Sequence, residues 1–297
     1  MPSLEAEARP PWPYRLPRSS GGDGVVWFRD GVVTRVLHVG GAPVAVQAWQ
    51  RRSGEVVLRA SGAQAKARAT ALRRWRFALA VDDDLRPFYE TFRSDRLLGR
   101  AIRRMPWLRP RRRPLAWEAF AWAVTKQLIE SGRAAAIQRR IVRRWGPPAE
   151  VAGFGLLRDV PSAEVIAGRA PAELEAMDLS ARRAAALVRA AREVAAGRVD
   201  PGDPAGDRRL LSIPEIGPWT IQCLGLHGRG EPDSLPAGDL GYVKLVGRLA
   251  GLGRRATVEE VEEFFRPYAP FRGLAGTFCL AAYHKAIAQG PPLRLAA

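Results

Sequence analysis

At 297 residues the chain is long enough to bury a sizeable core and to divide into two or three lobes. Its 47 basic residues against 30 acidic ones leave a formal charge of +17 and a sequence pI near 11.2, which excludes an acidic surface and points to an anionic partner, most commonly nucleic acid. Only Lys66, Lys126, Lys244 and Lys285 are lysines, and a GC-rich coding genome would also favour arginine, so charge alone leaves a generally basic surface open.

Residues 1–23 carry Pro10, Pro11, Pro13 and Pro17 and a Ser/Gly run, and read as a flexible tail. Too many prolines and charges interrupt this segment for a signal peptide, and no apolar run reaches membrane-spanning length, so a cytoplasmic, nucleoid-associated protein without a membrane partner is expected. From Val25 the pattern changes. Val25–Phe28, Val32–Val39, Pro43–Trp49 and Glu55–Ala60 are β-rich runs separated by Asp30-Gly31, Gly40-Gly41 and Ser53-Gly54, which are hairpin signals. With the helix predicted over Ala65–Leu79 and the acidic Asp82–Asp84 cluster, they define an antiparallel α+β lobe over residues 24–84.

Beyond Leu85 the strand signals vanish, and residues 85–297 read as a helical domain punctuated by Pro and Gly. Arg100–Arg113 is dense in arginine but interleaved with Met105, Trp107 and Leu108; it reads as an extended crossing segment whose charge is either a solvated face or a phosphate-facing strip. Trp117–Ser131 is apolar on most sides and suits a central helix. Arg133–Trp145, Ser162–Ile166, Pro171–Met177 and Ser180–Ala196 follow as helices, the last opened by an N-cap serine and closed by Gly197. Cys223 and Cys279 lie in apolar, helix-like surroundings as core thiols, and His38, His227 and His284 show no paired metal-ligand spacing.

The most informative stretch runs from Leu210 to Lys244. Ile213-Pro214-Glu215-Ile216-Gly217 is a tight turn between helices, with proline fixing one torsion and Gly217 free to take positive φ. Outward amides at such a turn suit a phosphate, although an ordinary helix connection has the same signature. Asp239 precedes the next helix, where it is either a plain N-cap or an exposed functional carboxylate.

Together, Ile-Pro-x-Ile-Gly-Pro-Trp-Thr at Ile213–Thr220, Leu-Pro-Ala-Gly-Asp-Leu-Gly at Leu235–Gly241 and Trp117–Leu128 ending in Lys-Gln-Leu resemble the helix-hairpin-helix DNA glycosylases. The likeness is closest to the AlkA-type 3-methyladenine DNA glycosylase II family. It extends from about Val25 to Gln289. It implies a mostly α fold, with a small N-terminal antiparallel α+β lobe ahead of a helical helix-hairpin-helix domain in two lobes.

What the resemblance implies for the site follows residue by residue. Asp239 matches the catalytic aspartate, placed to stabilise the positive charge that develops on deoxyribose and to orient water. Trp219 stands where strand-cleaving relatives carry a Schiff-base lysine, which implies a monofunctional enzyme; its indole matches the aromatic of the base pocket. Gln127 and Leu128 match the DNA wedge. Pro214, Glu215, Ile216, Gly217 and Thr220 match the hairpin that binds DNA. The carbonyls of Leu211, Ile213 and Ile216 occupy positions that hold a structural monovalent cation, with no other cofactor required. The expected partner is duplex DNA containing alkylated bases, bound by a monomer.

Three positions depart from the family pattern. Glu215 replaces the first hairpin glycine and puts a carboxylate where phosphate approaches. Glu130 stands two residues beyond Leu128, where the family is small and polar. In the last helix Leu280 falls at the place of a second pocket aromatic, leaving Tyr283 as the nearest ring. The sequence therefore supports either an alkylpurine glycosylase or a lesion-sensing DNA-binding protein that keeps the fold without turnover. A basic helical protein in which Asp239 only caps its helix is the plainest alternative.

Overall fold

A computed structural model describes residues 1–289, with side-chain surroundings through Tyr283. The side chains of His284 and Lys285, and residues 290–297 of the expected helical domain, lie outside the described residues.

Five antiparallel strands form the N-terminal sheet: β1 (Ser3–Ala8), β2 (Trp27–Arg29), β3 (Val32–Val39), β4 (Ala42–Gln50) and β5 (Val56–Ser61), in the order β1-β5-β4-β3-β2. Valine alternation drives the central strands, and Val33, Leu37, Val44, Val46 and Leu58 pack beneath α1 (Ala65–Leu79) through Ala71 and Trp75. Two expectations are corrected here. Residues 1–23 are not a tail, because Ser3–Ala8 pairs along the whole of β5. The prolines that follow lie in a strap fixed by Trp12 Nε1 donating to Pro106 O (3.0 Å) and by Tyr14 Oη donating to Leu79 O (2.9 Å). Val25, expected in the sheet, is instead buried in the helical core.

The helices divide into two lobes with separate cores. The first contains α4 (Ala116–Lys126), α5 (Ser131–Trp145), α6 (Ala163–Ala167), α7 (Pro171–Glu175), α8 (Ala181–Ala195), α9 (Asp207–Leu211) and α10 (Pro218–Leu224). The central helix α4 is buried from Trp117 to Thr125, as its lack of a polar face requires. The second lobe is discontinuous in sequence. It unites α2 (Arg86–Phe92) and α3 (Gly99–Arg104) with α11 (Leu240–Leu249), α12 (Val258–Phe265) and α13 (Arg272–Gln289), around Phe88, Phe92, Phe265 and Phe278.

Strands do recur beyond Leu85. A hairpin of β6 (Pro148–Val151) and β7 (Gly155–Arg158) lays Val151 and Leu157 against Val36 of β3. Beneath it lies a buried ionic network that joins sheet to helices. Arg35 forks onto Glu118 (3.2 and 3.1 Å) and reaches Asp159 (2.9 Å), while Arg113 bridges Glu118 and Asp23. Asp23 also accepts from Trp122 Nε1 (3.1 Å). Burial disfavours the charge on Asp23 and Asp159, yet the arginines and hydrogen-bond donors around them hold both below the usual carboxylate range.

Candidate nucleic-acid interface

The turn between α9 and α10 is closed by Ile216 N donating to Ile213 O (3.0 Å), and both isoleucine side chains are buried in the first helical core. The bond makes Ile213–Ile216 a four-residue turn with Pro214 second, and its third residue takes the left-handed geometry of a type II turn. That residue is Glu215, at φ +73°, whereas Gly217 is extended at φ −110° and ψ −179°. The expectation that Gly217 supplies the positive φ is corrected. Its place is Ncap of α10, immediately before Pro218 at N1. Among the described residues the amides of Glu215 and Gly217 donate to no backbone carbonyl, so this turn presents free N–H groups at a helix start. The Glu215 carboxylate reaches Arg182 at 3.7 Å, which offsets part of the negative charge it brings to the turn.

A second loop lies beside the turn. At the end of α4, Gln127 leaves helical geometry, and Leu128 follows at φ +56° with a relative exposure of 102%. A branched aliphatic side chain held in a left-handed conformation and wholly in water gains nothing from the protein's own core. The posture is imposed by neighbours. Gln127 Nε2 donates to Glu215 O (2.8 Å) and to Thr220 Oγ1 (2.9 Å), and Arg183 Nη1 donates to the carbonyls of Gln127 (2.9 Å) and Thr125 (3.3 Å). Thr220 is therefore placed differently from expectation: its side chain is buried and acts as an acceptor for Gln127 instead of facing outward. Arg183 was not singled out in the sequence. Its signal was an arginine on the apolar side of α8, flanked by Ala184 and Leu187, where only a hydrogen-bonding duty makes burial tolerable.

Asp239 is the N-cap of α11 and lies where the second lobe meets the first. Its Oδ1 accepts from Gly241 N (2.7 Å), and its carboxylate is half-buried. Trp219 from α10 packs beside the residue that precedes it, with Cδ1 3.7 Å from where a Cβ at Gly238 would stand, an ordinary van der Waals separation. On the α13 side Leu280 takes the corresponding position, 3.2 Å from a Cβ at Gly241. Tyr283 is one turn further on, and its hydroxyl reaches Leu97 O at 3.4 Å. The α13 wall beside Asp239 is thus aliphatic, and Tyr283 belongs to the α3 side of the second lobe.

Asp239 acts on the titration of its neighbours. Burial, reinforced by Asp239, pushes up the Cys223 thiol and the Tyr242 hydroxyl. Lys126, the last residue of α4, keeps solvent contact although protein surrounds it; this crowding and Arg113 push its ammonium down, while Cys223, Asp23 and Asp239 oppose the shift. Among the described residues no group of three or more His, Cys, Asp or Glu is arranged to hold a metal ion, and no helix is long and apolar enough to cross a membrane.

Residues 121–270 match the family model described as HhH-GPD superfamily base excision DNA repair protein. The chain belongs to that superfamily. The matched HhH-GPD region contains Gln127, Leu128, the Ile213–Gly217 turn, Trp219 and Asp239, but not the sheet or Leu280. Among relatives, the DNA-3-methyladenine glycosylase of Bacillus subtilis (strain 168) is 27% identical over 206 residues, covering 67% of each chain. A probable bifunctional transcriptional activator/DNA repair enzyme AlkA of Mycobacterium tuberculosis is 29% identical over 228 residues, 75% of this chain but 45% of that protein. This HhH-GPD chain therefore spans less than half the mycobacterial relative. In fold it is similar to a 3-methyladenine DNA-glycosylase from Archaeoglobus fulgidus, with a TM-score of 0.77, 21% identity and coverage of 98% and 100% of the two chains.

Proposed function

We propose that this protein is a monofunctional DNA glycosylase that flips alkylated purines of the 3-methyladenine type out of duplex DNA and hydrolyses their N-glycosidic bond. The observation that carries the reading is Asp239: a half-buried carboxylate at the junction of two helical lobes, oriented by Gly241 N, with the Trp219 indole packed beside the preceding Gly238. Names borne by the relatives, DNA-3-methyladenine glycosylase and AlkA, support the same reading.

Each part has a physical role. As the bond to a cationic base stretches, positive charge builds on the sugar, and the carboxylate of Asp239 stabilises it in a partly desolvated cleft. The same group orients or deprotonates the attacking water. A cationic purine is already a good leaving group, so one acidic residue suffices. Trp219 offers its π face to that cation, an attraction a neutral base feels less. Leu128 enters the duplex where the nucleotide left it, offsetting part of the unstacking cost of a few kcal/mol. The free amides of Glu215 and Gly217 take a backbone phosphate.

No cofactor is needed for this chemistry. The hairpin offers a monovalent cation an oxygen-only donor set: the carbonyls of Leu211 and Ile216 accept no backbone N–H among the described residues, and that of Ile213 accepts one. Such a cation would tie the turn to a phosphate. Because carboxylate, wedge and hairpin all come from one chain, a monomer suffices, acting on DNA in the nucleoid.

A lesion-sensing role without turnover is favoured by Glu215 alone, whose carboxylate stands on the phosphate-facing turn. Product analysis on methylated duplex DNA separates the readings. Free base and an abasic strand that breaks only in hot alkali are expected. Lesion binding without base release would leave the sensor reading, and a borohydride-trapped covalent complex would replace the water mechanism with a lysine-based one, for which Lys126 is the lysine closest in sequence to the wedge.

A further inference from the structure

Away from Asp239, the N-terminal strap, α1 and residues 107–114 enclose a cavity of about 780 Å³, within the roughly 300–1,000 Å³ range of small-molecule sites. No carboxylate is among its lining residues. Arg35, Arg112 and Arg113 are neutralised from outside it by Glu118, Asp83 and Asp23. Arg15, Arg18, Arg109 and Arg111 have no ion-pair partner among the described residues, and all four line the cavity, although the Arg109 guanidinium already donates to the carbonyls of Pro13, Trp107 and Asp83. Flat rings accompany these charges: Tyr14, Trp75 and Trp107 share the lining, and the Arg15 guanidinium lies 3.2 Å from the centre of the Trp107 ring.

Guanidinia that have no carboxylate partner, gathered around one roomy cavity, are what an acceptor-rich anion would satisfy. Arginine matches phosphate geometrically, and the rings match a planar group attached to it. The volume takes one such unit and no duplex.

We propose that this cavity is a second ligand site, separate from the Asp239 cleft, for a phosphate ester carrying a planar ring, the chemistry of a single nucleotide. Such a unit comes either as a free mononucleotide or as an unpaired residue of a DNA strand.

Equilibrium dialysis of the full chain against labelled dAMP at low salt tests this, and one saturable site is expected. Arg15 and Arg18 are exposed, so Arg15→Ala/Arg18→Ala should keep the wild-type melting temperature and base release while binding dAMP roughly ten-fold more weakly. Trp219→Ala, in the cleft, should bind dAMP as wild type does. Displacement of dAMP by a short single-stranded oligonucleotide assigns the site to a DNA strand; failure of the oligonucleotide to compete assigns it to a free nucleotide. Absence of saturable binding overturns the proposal. So does loss of binding in Trp219→Ala with retention in the arginine variant, and so does equal displacement by inorganic phosphate, which would show that the ring is not recognised.

Discussion

Gln127 and Glu215, 88 positions apart in sequence, are joined by a 2.8 Å hydrogen bond from the Gln127 side-chain amide to the Glu215 carbonyl. The bond locks the loop that exposes Leu128 to the turn that exposes free amides, so the two DNA contacts proposed for them would move as one body. Both loops store strain at a non-glycine residue, Leu128 at φ +56° and Glu215 at φ +73°. Each such residue costs about 1–2 kcal/mol. Buried anchors sustain that cost: Thr220 and Arg183 behind Gln127, Ile213 and Ile216 behind Glu215.

Leu128→Gly removes a side chain that touches nothing and relieves its left-handed backbone. Thermal stability should therefore hold or rise, by up to about 1 kcal/mol. Base release from a duplex should fall, with a much smaller effect on single-stranded substrate, where no gap needs filling. Comparing the two substrates checks this; equal losses on both would remove the wedge role.

Glu215→Gly should act in the same sense on stability and in the opposite sense on DNA. Relief of the positive φ is worth about 1 kcal/mol, and loss of a carboxylate from the phosphate-facing turn should tighten duplex binding several-fold at low salt. The gain should shrink as salt rises. Titrations of labelled duplex at several salt concentrations measure it, and unchanged or weaker binding would place the phosphate elsewhere.

Arg35→Met removes the shared arginine from Glu118 and Asp159 in the sealed layer between sheet and helices, leaving Glu118 only Arg113 and Asp159 only its amide and His38 contacts, at an expected cost of about 3–5 kcal/mol at neutral pH. The wild type carries the opposite linkage. Asp23 and Asp159 are held below the usual carboxylate value, so their contribution is complete above about pH 4 and is lost as pH falls through their depressed values. In the variant Asp159, without Arg35, takes up a proton at higher pH, so the deficit should narrow on acidification. Denaturant midpoints at pH 7 and pH 4.5 check both statements. A deficit under about 1 kcal/mol at pH 7 would contradict the role assigned to Arg35.

The sequence made legible whatever rested on periodicity. β3 and α1 fall on the expected residues because a β-branched run between two glycine-containing turns, and a run of helix formers, agree there with burial. β1 was obscured since only six residues, followed by four prolines, precede the next pattern, and its partner β5 lies about fifty positions away. The β6–β7 hairpin was hidden by Pro147, Pro148, Gly153 and Gly155, which read as stop signals until packing on Val36 gives them a purpose. Within the site, the motif spacing brought Asp239, Trp219 and the hairpin together, but spacing could not say which residue takes the left-handed torsion or which polar group turns inward. Glu215 and Thr220 were decided by long-range anchors, whereas Leu280 stands beside Gly241 as the sequence placed it.

On the proposed mechanism Asp239 serves chemistry as well as capping its helix. Asparagine caps a helix about as well as aspartate, so Asp239→Asn should leave the melting temperature nearly unchanged. Single-turnover release of 3-methyladenine from duplex DNA should nonetheless fall by about 10²–10⁴-fold, while binding to the same DNA persists. A folded Asp239→Asn protein that releases base at the wild-type rate would contradict the account.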